Sequence, residues 1–219
     1  MEDWIVAIFG HGPWKCTGCK QAIEHPGICD PCADAYERKA EDTHLTSCLE
    51  SIPHRFRWAS FASELLAQRA RRVEEARECV RRLICGGHMV VLSGGAGRGK
   101  TSVACAILRE IAGAKSRVSW RCRFVEAIEL GTSRRDGSLG EIPDAVRVGK
   151  GASVLLLDDV GQEAHAEPIR EVLHYRHNRN MPTIVTTFMV DTQLRGRYDG
   201  GTERRLLDGA MWLDLGGTQ

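Results

Sequence analysis

The sequence lacks a long apolar run, a large net charge and a secretory signal pattern. These features would indicate a membrane protein, a non-specific polyanion binder or a secreted protein. No stretch approaches the ~20 consecutive apolar residues that a membrane span requires. Lysine and arginine number 30 and aspartate and glutamate 29, so the net charge of +1 argues against a non-specific polyanion binder, although a local basic face is compatible with it. The first residues, MEDWIVAIFGHGPWK, begin with acids and show no small-residue cleavage pattern, unlike a secretory signal. We therefore expect a cytoplasmic protein.

Ordinary globular composition accompanies these absences. The 219 residues are 42% hydrophobic and 27% charged, which is enough for one well-packed domain and a small appendage. Nine cysteines are the exception to this ordinary composition. In a reducing compartment their expected uses are metal binding and buried packing rather than disulfides.

Four of the cysteines form two C-x-x-C pairs that are separated by nine residues, Cys16 with Cys19 and Cys29 with Cys32. Each pair can close a tight turn whose sulfurs point at one ion, and two such turns complete the four thiolates of a tetrahedral zinc site. The segment has too few apolar residues to fold alone, so the metal would supply the folding free energy. We predict a closed, structural zinc module with these four ligands.

Other uses of these cysteines fit the pattern less well. Four free thiols in a loose tail would leave the spacing without a reason. His11 or His25 is a less usual replacement for one sulfur. A redox C-x-x-C is expected between a strand and a helix, and neither pair has that setting.

The stretch SIPHRFRWASFA, which follows a charged helix-forming segment, indicates a connector because it mixes proline, basic residues and aromatics. Its Arg55, Phe56, Arg57 and Trp58 suit either single-stranded nucleic acid or packing on the neighbouring domain. From Ser63 to Ile84, apolar and alanine positions repeat at helical spacing, which predicts a helix with a charged outer face.

A glycine-rich turn lies between two apolar runs in VLSGGAGRGKTSVACAIL (Val91–Leu108). The first run is typical of a strand and the second has helical periodicity, so G-x-x-x-x-G-K-T stands in the context that a P-loop requires. Backbone N–H groups would surround the phosphates, Lys100 would reach the β- and γ-phosphates, and the Thr101 hydroxyl would bind Mg²⁺. The predicted nucleotide contacts are Gly94, Gly95, Ala96, Gly97, Arg98, Gly99, Lys100, Thr101 and Ser102.

A second apolar run, ASVLLLDD, ends in two acids. A continuous apolar run is typical of a parallel strand that is buried on both faces, and its C-terminal end emerges where open α/β sheets bind ligands. We predict that Asp158 supports Mg²⁺ and that Asp159 polarises the attacking water. A helix cap would explain one such acid more readily than two.

A third strand is predicted at PTIVTT, and either Thr186 or Thr187 at its end could contact the water or the γ-phosphate. Both are also routine strand residues. A short helix with Arg204 and Arg205 and a final strand follow. Arginine suits a transition-state role because its permanent planar charge meets phosphate oxygens, although surface charge alone would also explain the pair.

Taken in order, IPHRF, the P-loop, LLLDDVG, PTIVTT and ERRLLDG resemble the AAA+ ATPases of the bacterial replicative helicase loaders (DnaC/DnaI type) and the related transposition helper ATPases (IstB type). The resemblance covers about Ile52 to Leu215. It implies an α/β fold, namely a P-loop AAA+ core with a parallel five-stranded sheet flanked by helices and no C-terminal lid domain. It also implies that Arg205 acts on ATP held by a neighbouring subunit in a ring or spiral.

The N-terminal zinc module is similar to the DnaI-type arrangement, in which that module engages the helicase. Two positions depart from the family pattern. Phe188 stands where these ATPases usually carry asparagine, so nucleotide sensing would rest on Thr187 or be weakened. Asp159 replaces the usual glutamate and is one methylene shorter, which predicts slow basal turnover.

The sequence thus predicts a zinc-binding module (1–47), a linker (48–66) and an AAA+ ATPase core (67–219). The expected function is ATP-dependent loading of a hexameric replicative helicase onto single-stranded DNA, with ATP, Mg²⁺ and Zn²⁺ as cofactors. A transposition helper that contacts a transposase and duplex DNA is the alternative within the same class. A zinc-bearing adaptor with a degenerate ATPase, which acts by binding alone, is the alternative outside it.

Overall fold

A computed structural model describes residues 14–69, 72–114, 120–132, 144–198, 200–207 and 209–216. The chain divides into two compact units, Met1–Thr43 and His44–Gln219. The described part of the smaller unit contains the antiparallel pair β1 (Trp14–Lys15) and β2 (Ala22–Ile23), followed by the beginning of α1 (Asp30–Ser51).

The larger unit is built on a parallel five-stranded sheet, as the sequence predicts. Its strand order is β4-β5-β6-β3-β7, and every described pairing is parallel. The strands are β3 (Met89–Ser93), β4 (Cys122–Glu126), β5 (Val154–Val160), β6 (Thr183–Thr187) and β7 (Met211–Asp214).

Helices alternate with these strands along the chain. They are α2 (Glu64–Arg69), α3 (Val73–Ile84), α4 (Lys100–Ala112), α5 (Ala127–Thr132), α6 (Asp144–Gly151), α7 (Glu167–His177), α8 (Asp191–Arg197) and α9 (Gly200–Leu207), and a single 3₁₀ turn covers His54–Phe56. No helix of the described residues is long and apolar enough to cross a membrane.

Residues that alternate along each strand fill two separate cores, one on each face of the sheet. Val90 and Leu92 of β3 pack in the core that contains α3 and α4, whereas Met89 and Val91 pack in the core that contains α5, α6 and α7. This alternation is the period of two that a β-strand imposes. Because both faces are covered, the strands are the continuous apolar runs that the sequence shows.

One helix differs from the sequence expectation, and the predicted linker contributes to the core. The helix predicted from Ser63 to Ile84 is divided into α2 and α3, and Arg72 just before α3 has a left-handed φ of 60° that interrupts helical geometry. Within the predicted linker, Cys48, Ile52, Ala59 and Leu66 are buried in the core of the larger unit. The linker boundaries stay a prediction.

Candidate nucleotide site and candidate zinc centre

The P-loop connects β3 to α4, which begins at Lys100. Gly99 precedes the helix with a φ of 82°, and Gly94 has a φ of 140°, two left-handed conformations that favour glycine. A Cβ on Gly94 would lie 3.0 Å from the Gly216 carbonyl oxygen, which also accepts the Gly95 N–H at 3.1 Å. Gly216, two residues after β7, therefore helps to hold the loop.

Lys100 is nearly buried, and its Nζ donates to the Gly95 carbonyl at 3.1 Å across the loop. The first turn of α4 also contains Thr101 and Ser102. The helix N-terminus presents backbone N–H groups without intrahelical acceptors toward the loop. A glycine-rich loop and a helix N-terminus in this arrangement can bind an anion, and the nucleotide contacts of the individual residues stay a prediction.

The acid pair lies near the end of β5, two strands away from β3. Asp158 is buried, and Asp159 has a φ of 55°, within a register irregularity between β5 and β6. The Thr186 hydroxyl joins the two acids, because it donates to Asp158 Oδ1 at 2.6 Å and accepts the Asp159 N–H at 2.8 Å. One side chain of β6 thereby contacts the carboxylate of Asp158 and the backbone of Asp159.

Burial is the main influence on the pKa of Asp158 and raises it to about 6. Hydrogen bonding from the hydroxyls of Thr186 and Thr101 lowers this pKa, whereas the charge of Asp159 raises it. Thr101 of the P-loop is therefore one of the groups that influence the Asp158 carboxyl. A hydroxyl and a carboxylate at this position are ligands of the kind that Mg²⁺ prefers.

A cavity of about 530 Å³ brings the P-loop and Asp159 together, while Asp158 is buried beside it in the chain. Its walls include Lys100, Thr101 and Asp159. They also include Phe188, which the resemblance puts at the nucleotide-sensing position, and four residues that the sequence did not assign to the nucleotide site, namely Arg55, Phe56, Trp58 and Gln162. The stretch SIPHRFRWASFA contains three of these four, and no sequence signal indicated Gln162.

The structure does not bring the Thr187 hydroxyl to the acid pair. Its Oγ1 donates to the Val160 carbonyl at 2.7 Å and accepts the Met189 N–H at 3.1 Å, and the side chain is fully buried. Of the two threonines that the sequence left open, Thr186 is the one in contact with Asp158. The nucleotide contact of Thr187 stays a prediction.

Glu163 stabilises the loop that follows the acid pair. Its buried carboxylate accepts the Gly161 N–H at 2.7 Å, Arg197 Nε at 2.9 Å and the Tyr198 hydroxyl at 2.7 Å. Arg197 also donates to the Glu163 carbonyl oxygen. These contacts tie the loop after β5 to the C-terminal end of α8.

The two candidate arginines lie on α9, where Arg204 is exposed and Arg205 is half-buried. Neither pairs with a carboxylate among the described residues, and neither lines the P-loop cavity of its own chain. The structure therefore does not place Arg205 beside the nucleotide site of the same subunit.

In the smaller unit, the four predicted zinc ligands converge. The sulfur atoms of Cys16, Cys19, Cys29 and Cys32 all lie within 4.8 Å of one another, and Cys19 Sγ and Cys29 Sγ are 3.7 Å apart. Four sulfurs at ~2.3 Å from a tetrahedral zinc ion are about 3.8 Å from each other. The cluster therefore fits zinc without rearrangement of its fold.

The backbone around the cluster is shaped for thiolates. The Cys29 N–H donates to Cys16 Sγ at 3.3 Å and is the main reason that the pKa of Cys16 falls to about 6. The pKa of Cys32 rises to about 12, chiefly through the neighbouring Cys29 thiol. A Cβ on Gly18 would meet Cys32 Sγ at 3.0 Å, so the first turn needs glycine for close approach. His25 is not part of this cluster, and His11 lies outside the described residues.

Several solved structures share the fold of this chain. The crystal structure of DnaI is similar over 79% of this chain and 93% of its own, with 20% identity and a TM-score of 0.55. The DnaC helicase loader is similar over 74% and 99%, with 21% identity and a TM-score of 0.59. The replication initiator DnaA, solved with AMPPCP and single-stranded DNA, is similar over 77% and 49%, with 20% identity and a TM-score of 0.51.

No protein-family model matches the chain, and no curated protein matches it by sequence. At these identities the structural likeness establishes the fold. The larger unit has the AAA+ core fold of the DnaC and DnaI helicase loaders, and the four-cysteine cluster accompanies it in the smaller unit. The resemblance inferred from the motifs is confirmed at that level.

Proposed function

We propose that this protein is an ATP-dependent loader that delivers a hexameric replicative helicase to single-stranded DNA in the cytoplasm. The observation that carries the proposal is the meeting of Lys100, Thr101 and Asp159 at one cavity, with the buried Asp158 in hydrogen-bonding interaction with Thr101. Fold likeness to the DnaC helicase loader and to DnaI supports the choice of a loader among the many P-loop functions.

Within the cavity, the P-loop N–H groups and Lys100 would hold the ATP phosphates, while Thr101 and Asp158 would hold Mg²⁺. The cation neutralises the developing phosphate charge when bound, and it favours the ionised form of Asp158 despite that residue's burial. Asp159 would accept a proton from the attacking water. Phe56 and Trp58 offer aromatic faces on which the base can stack.

Arg205 would complete the site of a neighbouring subunit in a ring or spiral. Its half-exposed position away from its own P-loop cavity supports this role. Hydrolysis would then act as a timing step, because loss of the γ-phosphate removes the contact between subunits. Four cysteine thiolates would hold Zn²⁺ and form the surface that engages the helicase.

One observation favours the adaptor that acts by binding alone. Phe188, which cannot hydrogen-bond to water or phosphate, lies in the wall of the nucleotide cavity. Measurable ATP hydrolysis, with or without single-stranded DNA, would eliminate this alternative. Retention of a transposase instead of a helicase would favour the transposition helper.

The proposal is tested by nucleotide binding, ATP turnover and co-purification with the host helicase. Lys100→Ala should abolish tight ATP binding because the phosphates lose their cation. Lys39→Ala removes an exposed lysine of α1 and is the matched control, which should bind ATP normally. Full ATP affinity in Lys100→Ala, or the absence of any helicase from the purified complex, would contradict the proposal.

A further inference from the structure

The sequence allowed the aromatic and basic stretch at residues 55–58 to bind nucleic acid. In the structure its residues make other contacts. Phe56 and Trp58 line the nucleotide cavity. Arg57 donates to the carbonyl groups of Ile52 and Glu50 at 3.0 and 3.2 Å. These contacts argue against residues 55–58 as the surface that binds nucleic acid phosphates.

A second cavity, of about 330 Å³, lies beside β4, the strand at one edge of the described sheet. We call it the arginine groove, and it is lined by Arg121, Arg123, Arg147, Val148, Gly151 and Ala152. No carboxylate is among these lining residues. Small residues form part of its wall and leave room between the guanidinium groups.

Most of the positive charge in the arginine groove is not neutralised by a described carboxylate. Arg121 and Arg123 contact no carboxylate among the residues that the structure describes. Arg147 pairs with Asp144 one helical turn away, but these two side chains are 72% and 85% exposed. A pair so exposed is weak and readily exchanged for another anion. The groove thus offers two uncompensated guanidinium groups and a third that can be released.

A fourth guanidinium lies beneath the arginine groove. Arg176 is fully buried and satisfies all five of its N–H donors without a carboxylate. The acceptors are the carbonyls of Gly149, Ala152, Ser153 and Pro182 and the Thr183 hydroxyl. Ala152 belongs to the groove itself. An uncompensated charge in a low-dielectric interior adds to the positive potential above it.

We propose that the arginine groove binds the phosphodiester backbone of single-stranded DNA. Arg121 and Arg123 are two residues apart at the start of β4, so their guanidinium groups leave the same face of the strand and can reach neighbouring phosphates. Among the residues that the structure describes, the groove lining includes no projecting helix or β-ribbon of the kind that enters a duplex major groove. Only the choice of DNA as the nucleic acid rests on the proposed loader function.

The arginine groove and the nucleotide cavity occupy opposite ends of the strands. Arg121 precedes β4 and Ala152 precedes β5, whereas the acid pair lies near the C-terminal end of β5. A seven-residue strand such as β5 spans about 20–24 Å. Substitutions in the groove should therefore leave basal ATP hydrolysis unchanged.

The experiment measures the fluorescence anisotropy of a labelled 20-nucleotide oligothymidine, with and without a non-hydrolysable ATP analogue and Mg²⁺. Arg121→Gln/Arg147→Gln changes only exposed side chains, and Arg123→Gln is added in a triple variant. The double variant should raise the dissociation constant about tenfold and reduce the slope of log affinity against log salt by about 1.4, at about 0.7 per lost phosphate contact.

Arg77→Gln/Arg81→Gln removes the same charge from α3, whose arginines pair with Glu74 and Glu78, and is the matched control. An unchanged slope in the groove variants, or an equal loss in the control, would overturn the inference. Tighter binding of a duplex of the same length would overturn the assignment to a single strand.

The two proposals can fail separately. If the wild-type protein binds no oligonucleotide but hydrolyses ATP and retains a helicase, the arginine groove is refuted and the loader function survives. If the wild-type protein binds the oligonucleotide through the groove but neither hydrolyses ATP nor retains a helicase, the loader function is refuted and the groove stands.

Discussion

A single hydroxyl of β6 organises the acid pair. Thr186 Oγ1 donates to Asp158 and accepts the backbone N–H of Asp159, whose left-handed conformation turns its carboxylate toward the cavity wall. Aspartate tolerates this conformation better than most residues, and glutamate less well. The shorter acid at this position is therefore compatible with the local backbone.

Thr186→Val should lower ATP turnover about ten- to a hundredfold with little change in ATP affinity, because Asp158 and Asp159 lose the group that orients them. Steady-state turnover and equilibrium nucleotide binding measure the two effects separately. Thr187→Val is the matched control. It removes a hydroxyl that bonds to the Val160 carbonyl, and should cost about 1–2 kcal/mol of stability while turnover is retained. Equal loss of turnover in both variants would contradict an orienting role that is specific to Thr186.

Arg176 joins the N-terminal ends of β5 and β6 to the end of α6 through five hydrogen bonds. Lysine carries three donors at one nitrogen, so Arg176→Lys leaves at least two of these acceptors unpaired. We expect a loss of about 2–4 kcal/mol in the free energy of unfolding, measured by urea denaturation.

Arg179→Lys is the control for this substitution. Arg179 is exposed and lies over the Tyr175 ring at 3.8 Å. Exposed changes of this kind are expected within about 0.5 kcal/mol. If Arg176→Lys loses no more stability than Arg179→Lys, the stabilising role of the five Arg176 hydrogen bonds is contradicted.

We predict that the two cysteine turns depend on a bound metal for their stability. Their strands have two residues each, which is too short for independent stability. The purified protein should contain about one zinc ion per chain, and a strong chelator should remove it with a change in the far-ultraviolet circular dichroism of the smaller unit. ATP binding, which belongs to the larger unit, should survive.

Cys19→Ser should abolish stoichiometric zinc, measured by elemental analysis. Cys85→Ser replaces an exposed thiol outside the cluster and should keep its zinc. Metal-free wild-type protein with the same circular dichroism and the same protease resistance would argue against a structural zinc module.

The position of Arg205 predicts that several chains assemble. Because this guanidinium lies away from its own nucleotide cavity, ATP turnover per chain should rise with protein concentration as subunits associate. Arg205→Ala should lower turnover by about 10³-fold or more, whereas Arg204→Ala should have little effect. Specific activity that is flat from dilute to concentrated protein, or full activity in Arg205→Ala, would contradict action on a neighbour.

The features predictable from the sequence are those whose partners lie close together in the chain. The P-loop is one continuous turn, and the cysteine pairs are defined by short spacings. The apolar runs of β3 and β5 predict strands that are covered on both faces. Two of these, the parallel sheet and the convergence of four sulfurs, are present as predicted. The physical reason is that turn conformation and strand periodicity depend on neighbouring residues.

Contacts between distant segments depend on strand order and register, which no local pattern encodes. The pairing of β5 with β6 made Thr186 rather than Thr187 the partner of Asp158, 28 residues away in the chain. Packing of the predicted linker brought Phe56 and Trp58 to the nucleotide cavity, and the end of α6 completed the arginine groove. These sites exist only because long-range burial fixes which side chains share a space.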